Sequence, residues 1–277
     1  MSRHAVELDR GERFGFGENW RRFLESVDEA RVDDARASLR TWLRTDSLEA
    51  RRFLDAGCGS GLFSLAARRL GASVVSFDYD PASVACTEEL RTRFGESTAL
   101  WSIGEGSVLD ERFLESLGLF DVVYSWGVLH HTGALWTALD LVGRRVKPGG
   151  LLYVAIYNDQ GRASRTWLAV KKAYNRLPRG LRFLVLLPSL AALWGPNFVR
   201  ETLQGKPGRS WRAYAATSRG MSPWRDVVDW VGGLPFEVAR PEQMFDACKA
   251  AGFTLERMTT QAGGHGCNEF VFRLTRP

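Results

Sequence analysis

The chain has 277 residues, 45% of them hydrophobic and 25% charged. That suits one large domain, or one domain with an insertion, and excludes a disordered, collagen-like or coiled-coil chain. The net charge of +5 is uneven: between Asp159 and Arg219 twelve Lys and Arg face only Asp159 and Glu201, a local +10 that leaves the rest of the chain at −5.

The opening MSRHAVELDRGERFG is too charged for a signal peptide and reads as a loose tail carrying His4. From Asn19, a candidate N-cap, Trp20, Phe23, Leu24 and Val27 recur at helical spacing, followed by Ala35, Leu39, Trp42 and Leu43. Strands and helices then alternate: strand 52–55, helix 62–70 closed by Gly71, strand 73–78, helix 81–94, strands 98–103 and 120–125, helix 135–146, strand 151–156. After about eighty residues without that alternation come a helix over 241–251 and strands over 255–260 and 270–275. This order predicts an α/β fold, a mostly parallel sheet with helices on both faces. Residues 1–50 read as a helical lid, 51–157 and 238–277 as the core, and 158–237 as a largely helical, basic cap. Such a cap lies over the carboxyl ends of the strands, where open α/β sheets take their ligands.

The strongest motif is Asp55-Ala56-Gly57-Cys58-Gly59-Ser60-Gly61, between a strand and a helix. Glycines there let the backbone approach a ligand closely, and the helix start offers free N–H groups. Leu62 stands where a dinucleotide fold wants its third glycine, which disfavours a dehydrogenase. Asp55 suits a ligand bearing an ammonium group. Asp78 ends the second strand, where a carboxylate accepts both hydroxyls of a ribose. Asp80 is the better cap for the helix that starts at Pro81.

These pieces, with Phe120-Asp121-Val-Val-Tyr-Ser125, Trp126-Gly-Val-Leu-His-His131 and Val146-Lys-Pro-Gly-Gly-Leu151, resemble the class I S-adenosylmethionine-dependent methyltransferases. The small-molecule group compared with ubiquinone-biosynthesis O-methyltransferases looks nearest. The resemblance implies a Rossmann-like, seven-stranded sheet with its last strand antiparallel, and S-adenosylmethionine as cofactor. It implies that Asp55, Ala56, Gly57, Cys58, Gly59 and Gly61 hold the methionine part and Asp78 the ribose. Tyr79, Ser107 and Val108 would border the adenine, while Ser125 and Trp126 line the way to the methyl group. Relatives often carry an acidic residue near the adenine where this chain has Ser107; Asp110 is the substitute. Trp20 is either a cofactor contact or helix packing.

Methyl transfer needs alignment, and a base where the acceptor must lose a proton. His130 and His131 follow the fourth strand and His265 sits in a glycine-rich loop, which makes all three candidate bases. Tyr157, with Asn158 and Asp159, orients the acceptor or braces the cap junction. No metal site is read: the cysteines and histidines lack zinc spacing, and a helical His130-His131 pair would point its rings apart.

Three readings stand for the basic cap: a packed cap with a solvated basic face, a surface leaning on anionic lipid, or a cradle for an anionic acceptor. The apolar run 183–194 reads as too short, and as broken by Pro188, to span a bilayer. The Asn/Asp-Pro-Pro-aromatic motif of DNA methyltransferases is absent, so nucleic acid is disfavoured. The expectation is a cytoplasmic methyltransferase acting on a small or lipid-like molecule, at oxygen. Its rivals are an RNA methyltransferase and a non-catalytic cofactor-binding protein.

Overall fold

The computed structural model describes residues 3–217 and 222–275. Seven strands form one sheet: β1 (Arg52–Ala56), β2 (Ser73–Asp78), β3 (Trp101–Glu105), β4 (Phe120–Trp126), β5 (Val146–Tyr157), β6 (Phe253–Thr259) and β7 (Cys267–Leu274). Their order is β3-β2-β1-β4-β5-β7-β6. The first five are parallel, and β7 pairs antiparallel with both β5 and β6. The sheet is the expected one. Strand order, not strand direction, reverses between β1 and β4: the chain builds outward to β2 and β3 on one side and to β5 on the other, which puts the switch point of the topology at the carboxyl ends of β1 and β4.

Alternation along each strand supplies two cores. Phe53 faces α3 (Glu29–Leu43), α4 (Leu62–Arg69) and α5 (Pro81–Arg93). Leu54 faces α7 (Leu135–Gly143) and α12 (Pro241–Ala250). A third cluster, built on Tyr174, Leu186, Val227 and Val231, is the core of the cap. The cap comprises α8 (Arg162–Arg176), α9 (Phe183–Leu203), α10 (Arg209–Thr217) and α11 (Pro223–Gly232).

Several expectations are corrected. His4 is not in a loose tail: it lies in α1 (Arg3–Asp9), 7% exposed. Asn19 is not a cap, because α2 (Gly17–Leu24) already includes it. The third strand starts at Trp101, since Ala99 N donates to Ser97 Oγ and Leu100 N to Ser97 O in a turn that occupies the predicted start. A short helix, α6 (Glu111–Ser116), escaped the reading altogether. Helix α7 stops at Gly143, and Val146 already pairs with Phe120. Pro188 does not break the apolar run: α9 continues through both Pro188 and Pro196. Together with the short turn before it, residues 179–203 are long and apolar enough to cross a membrane by length and composition, and only 11% of the stretch is buried.

Candidate functional site

A cavity of about 1300 Å³ opens over the carboxyl ends of β1, β2 and β4. Its floor is the glycine turn. Gly57, Gly59 and Gly61 take φ of 87°, 54° and 78°, the left-handed region that other residues avoid. Gly57 N and Cys58 N donate to Phe77 O, tying the turn to the end of β2. A Cβ on Gly57 would lie 2.4 and 2.5 Å from the γ carbons of Val128. We expect Gly57→Ala to destabilise the fold by about 2–4 kcal/mol, combining left-handed strain with overpacking. Trimming Val128 to alanine in that variant removes both γ carbons but leaves its Cβ at 2.9 Å, so it should return only part of the overpacking share. Urea midpoints at unchanged slope read both effects; equal losses with and without the trim would show that contact with Val128 is not the cause.

Two carboxylates stand at this floor. Asp55 is 2% exposed, and its Oδ2 accepts from Ser64 Oγ at 2.5 Å. Ser64 Oγ lies 2.7 Å from Ser76 Oγ, which accepts from Trp101 Nε1 at 2.8 Å. Indole only donates and Ser64 already donates to Asp55, so the chain of protons runs Trp101, Ser76, Ser64, Asp55. Burial raises the Asp55 pKa to about 7, against the pull of Ser64. Asp78 accepts from Gly59 N at 3.0 Å and from Asp80 N at 2.9 Å. Burial raises it to about 6 despite those bonds. Two carboxylates held above their ordinary range make a floor that favours a cation.

The N-terminal helices close one side. Gly17 N donates to Asp80 Oδ2 at 2.9 Å, while Asp80 Oδ1 caps α5 through Ala82 N. Trp20 borders the cavity beside Gly59, where a Cβ would meet its indole at 2.9 Å. Tyr79 also borders it, with Arg13 4.7 Å from the ring centroid and its hydroxyl donating to Glu7 Oε1 at 3.3 Å. Ser107, Val108, Cys58 and Trp126 line the wall. Ala56, Gly61 and Ser125 sit behind it: Ser125 Oγ donates to Ala56 O at 2.8 Å, and Gly61 starts α4. Asp110 is spent as the cap of α6, accepting from Phe113 N at 3.0 Å, and takes no place on the cavity wall. Burial pushes the Cys58 thiol well up, so it stays protonated.

His130 and His131 share a 3₁₀ turn with ring centroids 4.5 Å apart; their rings meet rather than diverge, both packing against Tyr157 at 3.8 and 5.3 Å. His131 Nδ1 lies 2.7 Å from Pro235 O. A carbonyl only accepts, so Nδ1 carries the proton and Nε2 keeps its lone pair. Burial lowers the His131 pKa to about 3, which keeps the ring neutral. Arg13 Nη1 donates to His131 O at 3.0 Å, and Phe16 packs 4.9 Å from the ring. His130 Nδ1 accepts from Tyr157 N at 3.3 Å; its buried Nε2–H has no partner among the described residues. Both imidazoles border the cavity, as do Tyr157 and His265. The exposed His265 stands edge-on to Trp230 at 5.3 Å. Asn158 and Asp159 instead brace the junction. Asn158 Nδ2 donates to Gly264 O at 3.1 Å, Asn268 Nδ2 donates to Asn158 Oδ1 at 3.0 Å, and Asp159 Oδ1 accepts from Gly161 N at 2.8 Å.

The aromatics and Arg225 of the segment 219–236 read from sequence as acceptor contacts or as packing; of these Trp230 borders the cavity and Arg225 does not, while Trp194, Asn197, Arg209, Asp226 and Asp229, which the sequence reading did not pick out, complete the outer wall. Beneath Trp230 lies Lys171, fully buried, its Nζ donating to Trp230 O and standing 4.6 Å from the rings of Trp230 and Phe236. Burial lowers its pKa to about 7.

The comparisons agree with this architecture. A methyltransferase domain family matches residues 21–195. A ubiquinone biosynthesis O-methyltransferase of Rhizobium rhizogenes is 32% identical over 134 residues, 48% of this chain and 52% of that protein. The chain therefore spans about half the length of the curated relatives it matches. Magnesium protoporphyrin IX methyltransferase from Synechocystis PCC 6803, solved with bound S-adenosylhomocysteine, shares the fold with a TM-score of 0.50 at 14% identity, over 87% of this chain and 81% of that one. An O-methyltransferase family protein from Burkholderia thailandensis does so with a TM-score of 0.51 at 15% identity, over 88% and 55%. The floor fits the family's cofactor: close-approach glycines, a carboxylate for two hydroxyls, and a second carboxylate that a sulfonium or ammonium would compensate. The chain belongs to the class I S-adenosylmethionine-dependent methyltransferases.

Proposed function

We propose that this chain transfers a methyl group to a hydroxyl of a small or lipid-like molecule with an aromatic or otherwise apolar body. The observation that carries the reading is the fixed tautomer of His131, a neutral imidazole with a free lone pair beside a cavity walled by Tyr157, Trp126, Trp194 and Trp230. The cofactor supplies an electrophilic methyl on a sulfonium. The chain's own part is to align the acceptor and to take its proton. In this reading the turn from Gly57 to Gly61 and Asp55 hold the amino-acid end, and Asp78 accepts from the ribose hydroxyls. His131 Nε2 would receive the proton of the acceptor hydroxyl as the carbon–oxygen bond forms and the methyl–sulfur bond breaks, the cofactor leaving as the neutral thioether. Tyr157, its ring centroid 3.8 Å from that of His130 and tilted to it by 33°, forms the platform for the acceptor body.

A hydroxyl is favoured over an amine because a neutral amine attacks with its own lone pair, whereas a hydroxyl needs a proton removed. A small acceptor is favoured over a nucleic acid because, of the basic residues between 162 and 217, Arg209 alone borders the cavity. The test is transfer of radiolabelled methyl groups into a panel of phenols, aliphatic alcohols, aromatic amines and host RNA. Label in the phenols or alcohols is expected. Label confined to amines or RNA overturns the reading.

A further inference from the structure

We propose that α9 seats this chain peripherally on an anionic membrane surface. Leu184, Leu187, Pro188, Ala191, Phe198 and Val199 are exposed and recur at three- and four-residue spacing, which places them along one face of the helix. The exposures of Leu184, Phe198 and Val199 are 55%, 55% and 59%. Eight of the sixteen exposed large apolar side chains among the described residues fall between Leu181 and Trp211. Single exposed apolar residues are ordinary, but a concentration of this kind marks an interaction surface.

The rim of the stripe names the partner. Arg176 and Arg179 stand exposed before the helix, and Arg200, Lys206, Arg209 and Arg212 stand exposed at its far end and beyond. Glu201, the one acid between residues 160 and 217, is buried and held by Ser210 N at 2.9 Å. An apolar face framed by cations at both ends matches lipid tails beneath anionic headgroups. A second copy packed on the same face would set one basic rim against another. A spanning helix would have to abandon the cap core, in which Leu186 and Ser189 are buried and Leu190, Leu193 and Trp194 pack. The inner side of α9 contributes Leu193, Trp194 and Asn197 to the cavity. One helix thus separates the proposed lipid face from the proposed acceptor site. The seating itself rests on the exposed face alone and does not depend on which acceptor is methylated.

The test is flotation of the full chain with vesicles of phosphatidylglycerol and phosphatidylcholine, against phosphatidylcholine alone. The chain should float with the anionic vesicles only. A triple variant, Leu184→Glu with Leu187→Glu and Phe198→Glu, should float at least tenfold less, and so should Arg179→Glu with Arg200→Glu. Both variants should bind S-adenosylhomocysteine as the parent does, which establishes that they fold. Wild-type chain that stays unfloated, or that floats equally with neutral vesicles, overturns the proposal. So does a dimer in sedimentation that the triple variant dissolves, which assigns the face to a second copy. Resistance to alkaline carbonate extraction from cell membranes overturns it in favour of a span.

Discussion

Replacing Asp78 with alanine is expected to weaken S-adenosylhomocysteine binding by about 1.5–3 kcal/mol, roughly ten- to hundredfold, with the fold intact. The number follows from removing a charged acceptor of hydrogen bonds. Asp78 already accepts from Gly59 N and Asp80 N, and each carboxylate oxygen has a second lone pair for a ribose hydroxyl. The direction of the pH dependence follows too. In the free protein burial raises Asp78 to about 6 and Asp55 to about 7. A ligand that brings hydroxyl donors and a positive charge favours the ionised forms, and so lowers both pKa values on binding. Affinity should therefore rise with pH through 6 and 7 and level off above about 8. Binding near pH 6 should release protons, visible by calorimetry in buffers of different ionisation enthalpy. Asp78→Asn should lose its share of that release. Wild-type affinity in Asp78→Ala would remove the carboxylate from the site, and proton uptake on binding would refute the charge argument. In the free protein the linkage runs the other way. Each raised carboxylate is a cost once ionised, so its contribution to stability falls as pH rises through 6 or 7 from the unfolded value near 4.

The parts of this site that lie next to each other in sequence were readable in advance. The glycine turn and the acid at the end of β2 are fixed by short-range geometry: a strand, a tight turn and a helix start leave few residue choices. The mostly parallel sheet followed from the alternation of elements, and its antiparallel last strand from the resemblance to the methyltransferases. What the sequence concealed is made of long-range pairs. The Ser64 and Ser76 hydroxyls join Asp55 to Trp101 across four elements, and no spacing connects them. The carbonyl of Pro235, 104 residues from His131, decides which imidazole nitrogen carries the proton. Helix α9 was misjudged on a local rule. Proline lacks an N–H and crowds the preceding turn, so Pro188 reads as a break. Yet it sits on the exposed face of a helix whose other side is held by the cap core, and packing there overrides propensity. The histidine pair was misplaced for a related reason. Successive positions on a helical turn point apart, yet both rings pack against Tyr157 at the end of β5, a contact that no local spacing shows.

The second large effect concerns that pair. His131→Ala is expected to lower turnover by about 10²–10⁴ while leaving S-adenosylhomocysteine affinity within roughly twofold. A base whose pKa lies near 3 in the free protein looks weak, and burial is the reason: a lone imidazolium in that wall has no compensating water. Transfer changes the balance. The positive charge that disappears from the sulfur is replaced by one on the ring, so the site holds one unit of charge before and after. The cost of burying a cation at His131 is therefore offset, as the proton is captured, by the buried cation lost from the sulfur. His131 is also neutral at every ordinary working pH. Turnover at saturating cofactor should then show no loss on the acid side near pH 6.5, where an exposed histidine would titrate. His131→Asn separates the two jobs of the ring. Its amide can still donate to Pro235 O, so the turn keeps its anchor, but it offers no basic nitrogen. Turnover in the asparagine variant should match the alanine variant, with a stability closer to the parent's. An asparagine variant that turns over within threefold of the parent would take His131 out of proton transfer, and a matching loss in His265→Ala would move the role to the loop between β6 and β7.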